Sequence, residues 1–200
     1  MLQQPRFETV RTFVAMNLTE DLRLAIEELR RRLEQERGSD HVKWTRVEQV
    51  HLTLKFLGAV PQSSIDDLAT AVRRASVGHH VFRLRLARLG CFPDLRIPKI
   101  VWVGITGETD RLRALQARIE QETAPFSSPE EDRAFHPHLT VARAKHLDPA
   151  ERRWLAHLIQ THETLTLGDW MVRELVLMKS VLGGGGPTYT PLVAIPLAAT

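Results

Sequence analysis

Cysteine occurs once in these 200 residues, as Cys91, which excludes an internal disulfide framework and a cysteine-rich zinc site. Aromatic residues are scarce at 6%, so most are expected in the core and none is taken as a ligand group. Long apolar runs are missing: Ile100-Val101-Trp102-Val103 falls far short of the roughly 18 residues needed to span a bilayer. Met1 to Phe7 carries two Gln and a Pro where a secretory signal needs an apolar core, and the chain is expected to be cytoplasmic. A strong charge of one sign is also absent. With 27 Lys and Arg against 24 Asp and Glu the net charge is +3, which permits an anionic partner without marking a nucleic-acid footprint. What remains, 43% hydrophobic and 26% charged, is ordinary for a globular protein and excludes a disordered one. No Pro/Gly/Ser-rich linker divides the chain, so residues 1–200 are expected to form one domain, with room for two lobes.

Strand and helix periods alternate from end to end. Thr9 to Leu18 reads as a strand. Thr19 is expected to cap a helix on which Leu22, Ile26, Leu29 and Leu33 recur at helical spacing. His51 to Leu57 alternates as a strand broken by Gly58 to Pro61, and Ser63 or Ser64 caps a helix through Ile65, Leu68, Ala69 and Val72. Val81 to Leu89 puts Phe82, Leu84 and Leu86 on one strand face; Lys99 to Thr106 is its neighbour across a Pro93 to Pro98 loop. The second half repeats the rhythm with a helix on Leu112, Leu115 and Ile119, and a strand from His138 to Arg143. A further helix opens at Asp148-Pro149. Two final strands, Trp170 to Val181 and Thr188 to Leu197, flank Gly183 to Gly186, a run read as a hairpin tip because no strand–GxxxxGK[ST]–helix context surrounds it. The expected class is α+β, antiparallel sheet with packed helices.

One tetrapeptide pattern appears in both halves: His51-Leu52-Thr53-Leu54 and His138-Leu139-Thr140-Val141. On a strand, residues i and i+2 share a face, so each copy offers an imidazole beside a hydroxyl while its aliphatics enter a core. A third match, His162-Glu163-Thr164-Leu165, lacks the central aliphatic and reads as a surface strand or helix end. Two strands facing across a cleft would converge two imidazoles and two hydroxyls. Such a set suits in-line displacement at phosphorus, one His as base and the other as acid, with Thr53 and Thr140 holding the non-bridging oxygens. This chemistry calls for no metal or other cofactor. The alternative for His136-Pro137-His138, a shared ion, has no visible third ligand. His79-His80 reads as a solvated turn and His157 as structural. Lys55, four beyond His51, shares its face and can reach a phosphate. Arg143, five beyond His138, falls on the opposite face unless a bulge intervenes.

The chain resembles the two-histidine phosphoesterase superfamily, and within it the bacterial and archaeal RNA 2′,3′-cyclic phosphodiesterases, formerly called 2′-5′ RNA ligases. The resemblance is carried by Arg11-Thr12-Phe13-Val14-Ala15, His51-Leu52-Thr53-Leu54-Lys55-Phe56-Leu57-Gly58 and Trp102-Val103-Gly104. It continues through Pro137-His138-Leu139-Thr140-Val141-Ala142-Arg143, Ser180-Val181-Leu182 and Gly186-Pro187-x-Tyr189. It implies two pseudo-twofold-related lobes around a cleft, and hydrolysis of an RNA or nucleotide 2′,3′-cyclic phosphate end to a 2′-phosphate. It further implies that His51 protonates the departing 3′ oxygen, that His138 activates the water, and that Arg143 lies near the ligand. Thr12, Met16 and Val141 stand where Leu or Ile is commoner, away from the chemistry. Joining of RNA ends through a 2′-5′ linkage, other 2′-5′ phosphodiester chemistry, and a non-catalytic RNA-end binding module are the alternatives; the intact pair of His and Thr argues against the last. No membrane and no obligate protein partner are expected, and the chain is expected to act as a monomer.

Overall fold

A computed structural model describes residues 8–36, 38–127, 134–184 and 186–199; Met1 to Phe7 and Gly185 of the glycine run lie outside them. In chain order the elements are β1 (Thr9–Asn17), α1 (Glu20–Gln35), β2 (Val42–Trp44), β3 (His51–Pro61), α2 (Ile65–Ser76), β4 (Phe82–Phe92), β5 (Ile100–Gly107) and α3 (Thr109–Thr123). There follow β6 (His138–Ala144), α4 (Pro149–Thr161), β7 (Thr166–Val172), β8 (Glu174–Gly183) and β9 (Gly186–Pro196).

The strands form two sheets, of order β3-β1-β8-β9 and β2-β6-β5-β4-β7, and every pairing within them is antiparallel. Setting β2 aside, the two orders correspond strand for strand: β3 with β6, β1 with β5, β8 with β4, β9 with β7. The expected two-lobed α+β fold is present, and each His-Leu-Thr copy opens the corresponding strand of its sheet. Each sheet is covered by one helix from each half of the chain: α2 and α3 lie on the first, α1 and α4 on the second. The lobes are therefore interlocked, and β3 lies against β6 where they meet.

The helix periods bury as the spacing predicts. Leu22, Ile26, Leu29 and Leu33 of α1 and Ile65, Leu68, Ala69 and Val72 of α2 enter one continuous core with Leu52, Leu139 and Val141. A smaller second cluster, Phe13, Ala15, Val176 and Met178 with Tyr189 packed on it, occupies the other face of the first sheet. No helix is long and apolar enough to cross a membrane among the described residues.

Four local expectations change. Thr19 and Ser64 stand at N-cap positions without a capping side-chain bond, whereas Asp148 forms a full capping box with Glu151. Gly58 does not end its strand: at φ +76 it absorbs an irregularity that only glycine tolerates cheaply, and β3 continues to Pro61. The segment from Trp170 to Val181 divides between β7 and β8, on either side of Arg173. The short β2, too brief for a period to register, adds an edge to β6.

Candidate active site

Register, not sequence spacing, decides which side chains share the faces of His51 and His138. On β3, Ala15 pairs with Thr53 and Val14 with Lys55, so Leu54 is an extra residue on that strand. On β6, Trp102 pairs with Thr140 and Val101 with Ala142, so Val141 is the extra residue there. The same bulge thus follows the Thr in both lobes. A bulge advances the chain by one residue without alternation, so the residue five beyond each His, not four, returns to its face. Arg143 is exposed at that station on β6, and the bulge it required is present. On β3 the station is held by Phe56, half exposed and 5.7 Å from Phe13.

Lys55 is not brought to the site. It is buried, its ammonium 2.8 Å from a Glu120 carboxylate oxygen and 3.2 Å from the Glu120 carbonyl of α3, beneath the sheet. Period-two parity misplaces it because the bulge at Leu54 reverses the alternation between Thr53 and Lys55. The α3 helix also reaches the bulge, where Gln116 donates to the Leu54 carbonyl at 3.4 Å.

The two imidazoles are held alike. His138 Nδ1 lies 2.6 Å from the carbonyl oxygen of His136, two residues earlier. A carbonyl only accepts, so Nδ1 carries the proton and the Nε2 lone pair of the neutral ring is left to act as a base. His51 makes a backbone hydrogen bond to Gln49, again two residues earlier. Each ring also has an aromatic wall. Phe13 stacks on His51 with centroids 4.8 Å apart, and Tyr189 meets it edge-on at 5.0 Å. Phe92 meets His138 edge-on at 5.0 Å. The Gln49 side chain donates to the Pro187 carbonyl at 2.6 Å, which fixes the start of β9, and hence Tyr189, beside His51.

This packing sets the protonation equilibria. Burial pushes the His51 pKa down to about 4, opposed by its hydrogen bond to Gln49. Burial also lowers that of His138, opposed by the bond to His136, with the Arg143 charge lowering it further. The Tyr189 phenol is raised by burial and drawn back by the charges of Arg143 and Arg11. Tyr189 is thus in contact with His51 of one lobe and within electrostatic reach of Arg143 of the other, which in turn acts on His138. Arg11 sits two residues before Phe13 on β1, on the same face; sequence reading did not single it out as a site residue. Thr53 and Thr140 are half-buried at the i+2 positions.

Of the remaining candidates, His136 stays beside His138 and lines the same cavity, while His162 falls elsewhere. His162 ends α4, its Nδ1 2.9 Å from the Leu158 carbonyl, which agrees with its reading as a helix end. His136 is exposed, and no group of three His, Cys, Asp or Glu able to hold an ion occurs among the described residues. The glycine run closes the β8–β9 hairpin through the Gly183–Gly186 pair.

Residues 18–184 match the model of the 2′-5′ RNA ligase superfamily. The chain is 32% identical over 184 residues to an RNA 2′,3′-cyclic phosphodiesterase of Methanothermobacter thermautotrophicus, covering 92% of this chain and 96% of that one. It superposes on the crystal structure of TT0787 of Thermus thermophilus with a TM-score of 0.74 at 29% identity, covering 94% of this chain and 98% of that one. With Escherichia coli LigT complexed with phosphate the TM-score is 0.68 at 25% identity, over 96% of this chain and 99% of that one.

Proposed function

This chain belongs to the 2′-5′ RNA ligase superfamily, and from that we propose that it hydrolyses 2′,3′-cyclic phosphate ends of RNA or nucleotides to 2′-phosphomonoesters, without a metal, by paired imidazole catalysis. One observation carries the reading: the two His-x-Thr pairs stand at matching stations of matching strands, each imidazole tied to the backbone two residues earlier. A binding module needs cations, and has no use for two oriented imidazoles.

In the proposed reaction His138 Nε2 takes a proton from a water whose oxygen attacks phosphorus. The bond from phosphorus to the 3′ oxygen breaks, and His51 gives its proton to that oxygen. The product carries a 3′ hydroxyl and a 2′ phosphate, and His138 has gained the proton that His51 lost. Thr53 and Thr140 donate to the non-bridging oxygens, and Arg143 holds their charge as it grows. Because the groups come from both lobes, residues 1–200 act as one unit, and no second chain is called for.

The deciding experiment is incubation of a short RNA ending in 2′,3′-cyclic phosphate in excess EDTA, with identification of the product. A 2′-phosphate formed at the rate seen without chelator is the expected result. A 3′-phosphate, or activity that returns only with added zinc or manganese, refutes the proposed mechanism.

A further inference from the structure

Beyond His138 the cleft opens into a cavity of about 1030 Å³ over the second sheet. Its lining includes His138 and Phe92 but neither His51 nor Thr53. It therefore lies on the His138 side and does not reach His51. Pockets for single compact ligands run to roughly 300–1,000 Å³, so this cavity stands at the upper end of that range.

The floor of this cavity is built for a flat ring. Trp102 of β5, paired in register with Thr140 on one side and Gly90 on the other, lies across two glycines. A Cβ added at Gly90 would collide with the indole, and one at Gly104 would stand 3.2 Å from it. Bare backbone at Gly90 is what lets the ring rest on the sheet, while at Gly104 a Cβ would also meet the Ala87 carbonyl at 2.9 Å. Phe92 lies 5.4 Å from Trp102 and 5.0 Å from His138, so aromatic surface continues from the imidazole into the cavity. The rim carries three guanidiniums, of Arg88, Arg96 and Arg113, against the carboxylates of Asp94 and Glu163, with Arg88 3.5 Å from Glu163. Arg96 is 90% exposed, 3.5 Å from Asp94, and Arg113 reaches in from α3, donating to the Phe135 carbonyl.

We propose that this cavity is a second-nucleotide site: the base preceding the cyclic phosphate end stacks on Trp102 while Arg96 meets the phosphate between the two nucleotides. The terminal nucleotide then fills the part nearest His138 and Phe92. This rests on the proposed function, and makes the chain an enzyme of oligoribonucleotide ends in preference to mononucleotides. A stacked base discriminates little among the four bases, so length, not sequence, is what the site reads.

The test compares kcat/KM for a mononucleoside 2′,3′-cyclic phosphate with that for a trinucleotide bearing the same end. The trinucleotide is expected to be better by about tenfold to a hundredfold, the worth of one stacked base. Trp102→Leu should bring that ratio close to one, through KM, and Trp102→Phe should restore part of it. Arg96→Gln, at an exposed position where folding is not at stake, should lower the ratio and weaken its dependence on salt. Equal kcat/KM for the two substrates in the wild type, or a ratio unmoved by Trp102→Leu and Arg96→Gln, overturns the second-nucleotide site. Turnover of neither substrate fails the proposed function itself, which keeps the two failures apart.

Discussion

Arg143 and Phe56 occupy the same station in the two lobes, each the fifth residue after the His that opens its strand and each carried back to the cleft face by a bulge after the Thr. The twofold correspondence of the backbone is thus broken in its chemistry. One lobe offers a guanidinium where the other offers a phenyl ring, and Lys55, next to that ring in sequence, is buried against Glu120. At this station positive charge therefore comes from the second lobe only.

Arg143 and Lys55 should accordingly fail in different ways when removed. Arg143→Ala is expected to lower kcat/KM by about tenfold to a hundredfold, the scale of a charged hydrogen bond at roughly 1.5–3 kcal/mol, without loss of stability. Lys55→Ala removes a buried stem and its bonds to Glu120, at a cost of roughly 1–3 kcal/mol. Its Tm should fall by several degrees while KM changes less than about twofold. Thermal melts and steady-state kinetics on both variants decide the matter; an unaltered Tm with a greatly raised KM in Lys55→Ala would return that residue to the phosphate.

Deletion of either imidazole is expected to reduce kcat by at least about a hundredfold, the usual scale for a general acid or base. His162→Ala, at the end of α4, should match wild type within about twofold. A single-turnover assay on the three alanine variants suffices, and a crippled His162→Ala with active His138→Ala would misassign the second motif.

How far these residues were legible in the sequence follows from which signals are local. His51, Thr53, His138 and Thr140 were readable because i and i+2 share a strand face whatever the partner strand does. Lys55 was misplaced and Arg143 left conditional because both lie beyond a bulge. A bulge is a property of register between two strands, and β3 alone carries no mark of it. The recurrence of the bulge in both lobes was nevertheless available in principle, since the expected position of Arg143 and the parity of Lys55 made opposite demands on one repeated motif. Helix faces were readable from their period, and the boundary between β7 and β8 was not, since Arg173 and Glu174 interrupt the apolar run there with neither glycine nor proline to mark a turn. The cradle of Gly90 and Gly104 beneath Trp102 joins three positions on two strands, and no one-dimensional pattern contains it.

Burial of neutral His51 also has a consequence for stability. Its pKa is about 4 in the folded chain and about 6.5 when unfolded. The unfolded state therefore binds the proton more tightly. The contribution is fully present above pH 6.5 and is lost as pH falls toward 4, by at most about 3 kcal/mol at 1.36 kcal/mol per unit. Denaturant unfolding at pH 7 and pH 4.5 should show the wild type losing more stability on acidification than His51→Gln. Equal losses in the two proteins would mean that His51 is not buried as described.

The same depressed values fix the expected pH profile of the reaction. In the free protein both imidazoles are neutral at pH 7, because burial holds His51 near 4 and lowers His138 as well. The proposed reaction needs a proton on His51 and none on His138. The share of molecules in that form rises as pH falls, until His138 itself becomes protonated. The profile of kcat/KM, which reports the free enzyme, should be bell-shaped with its maximum on the acid side of pH 6.5, and its two apparent pKa values belong to the pair. A bound phosphate places negative charge beside both rings and raises both pKa values. The kcat profile should then lie at higher pH than that of kcat/KM, where the chemical step limits both. Phe13→Leu, which removes the ring stacked on His51 and admits water, should move the kcat/KM maximum toward neutral pH. A kcat/KM that climbs without a maximum to pH 9 is the outcome that excludes a protonated imidazole as the donor, since no buried His keeps its proton there.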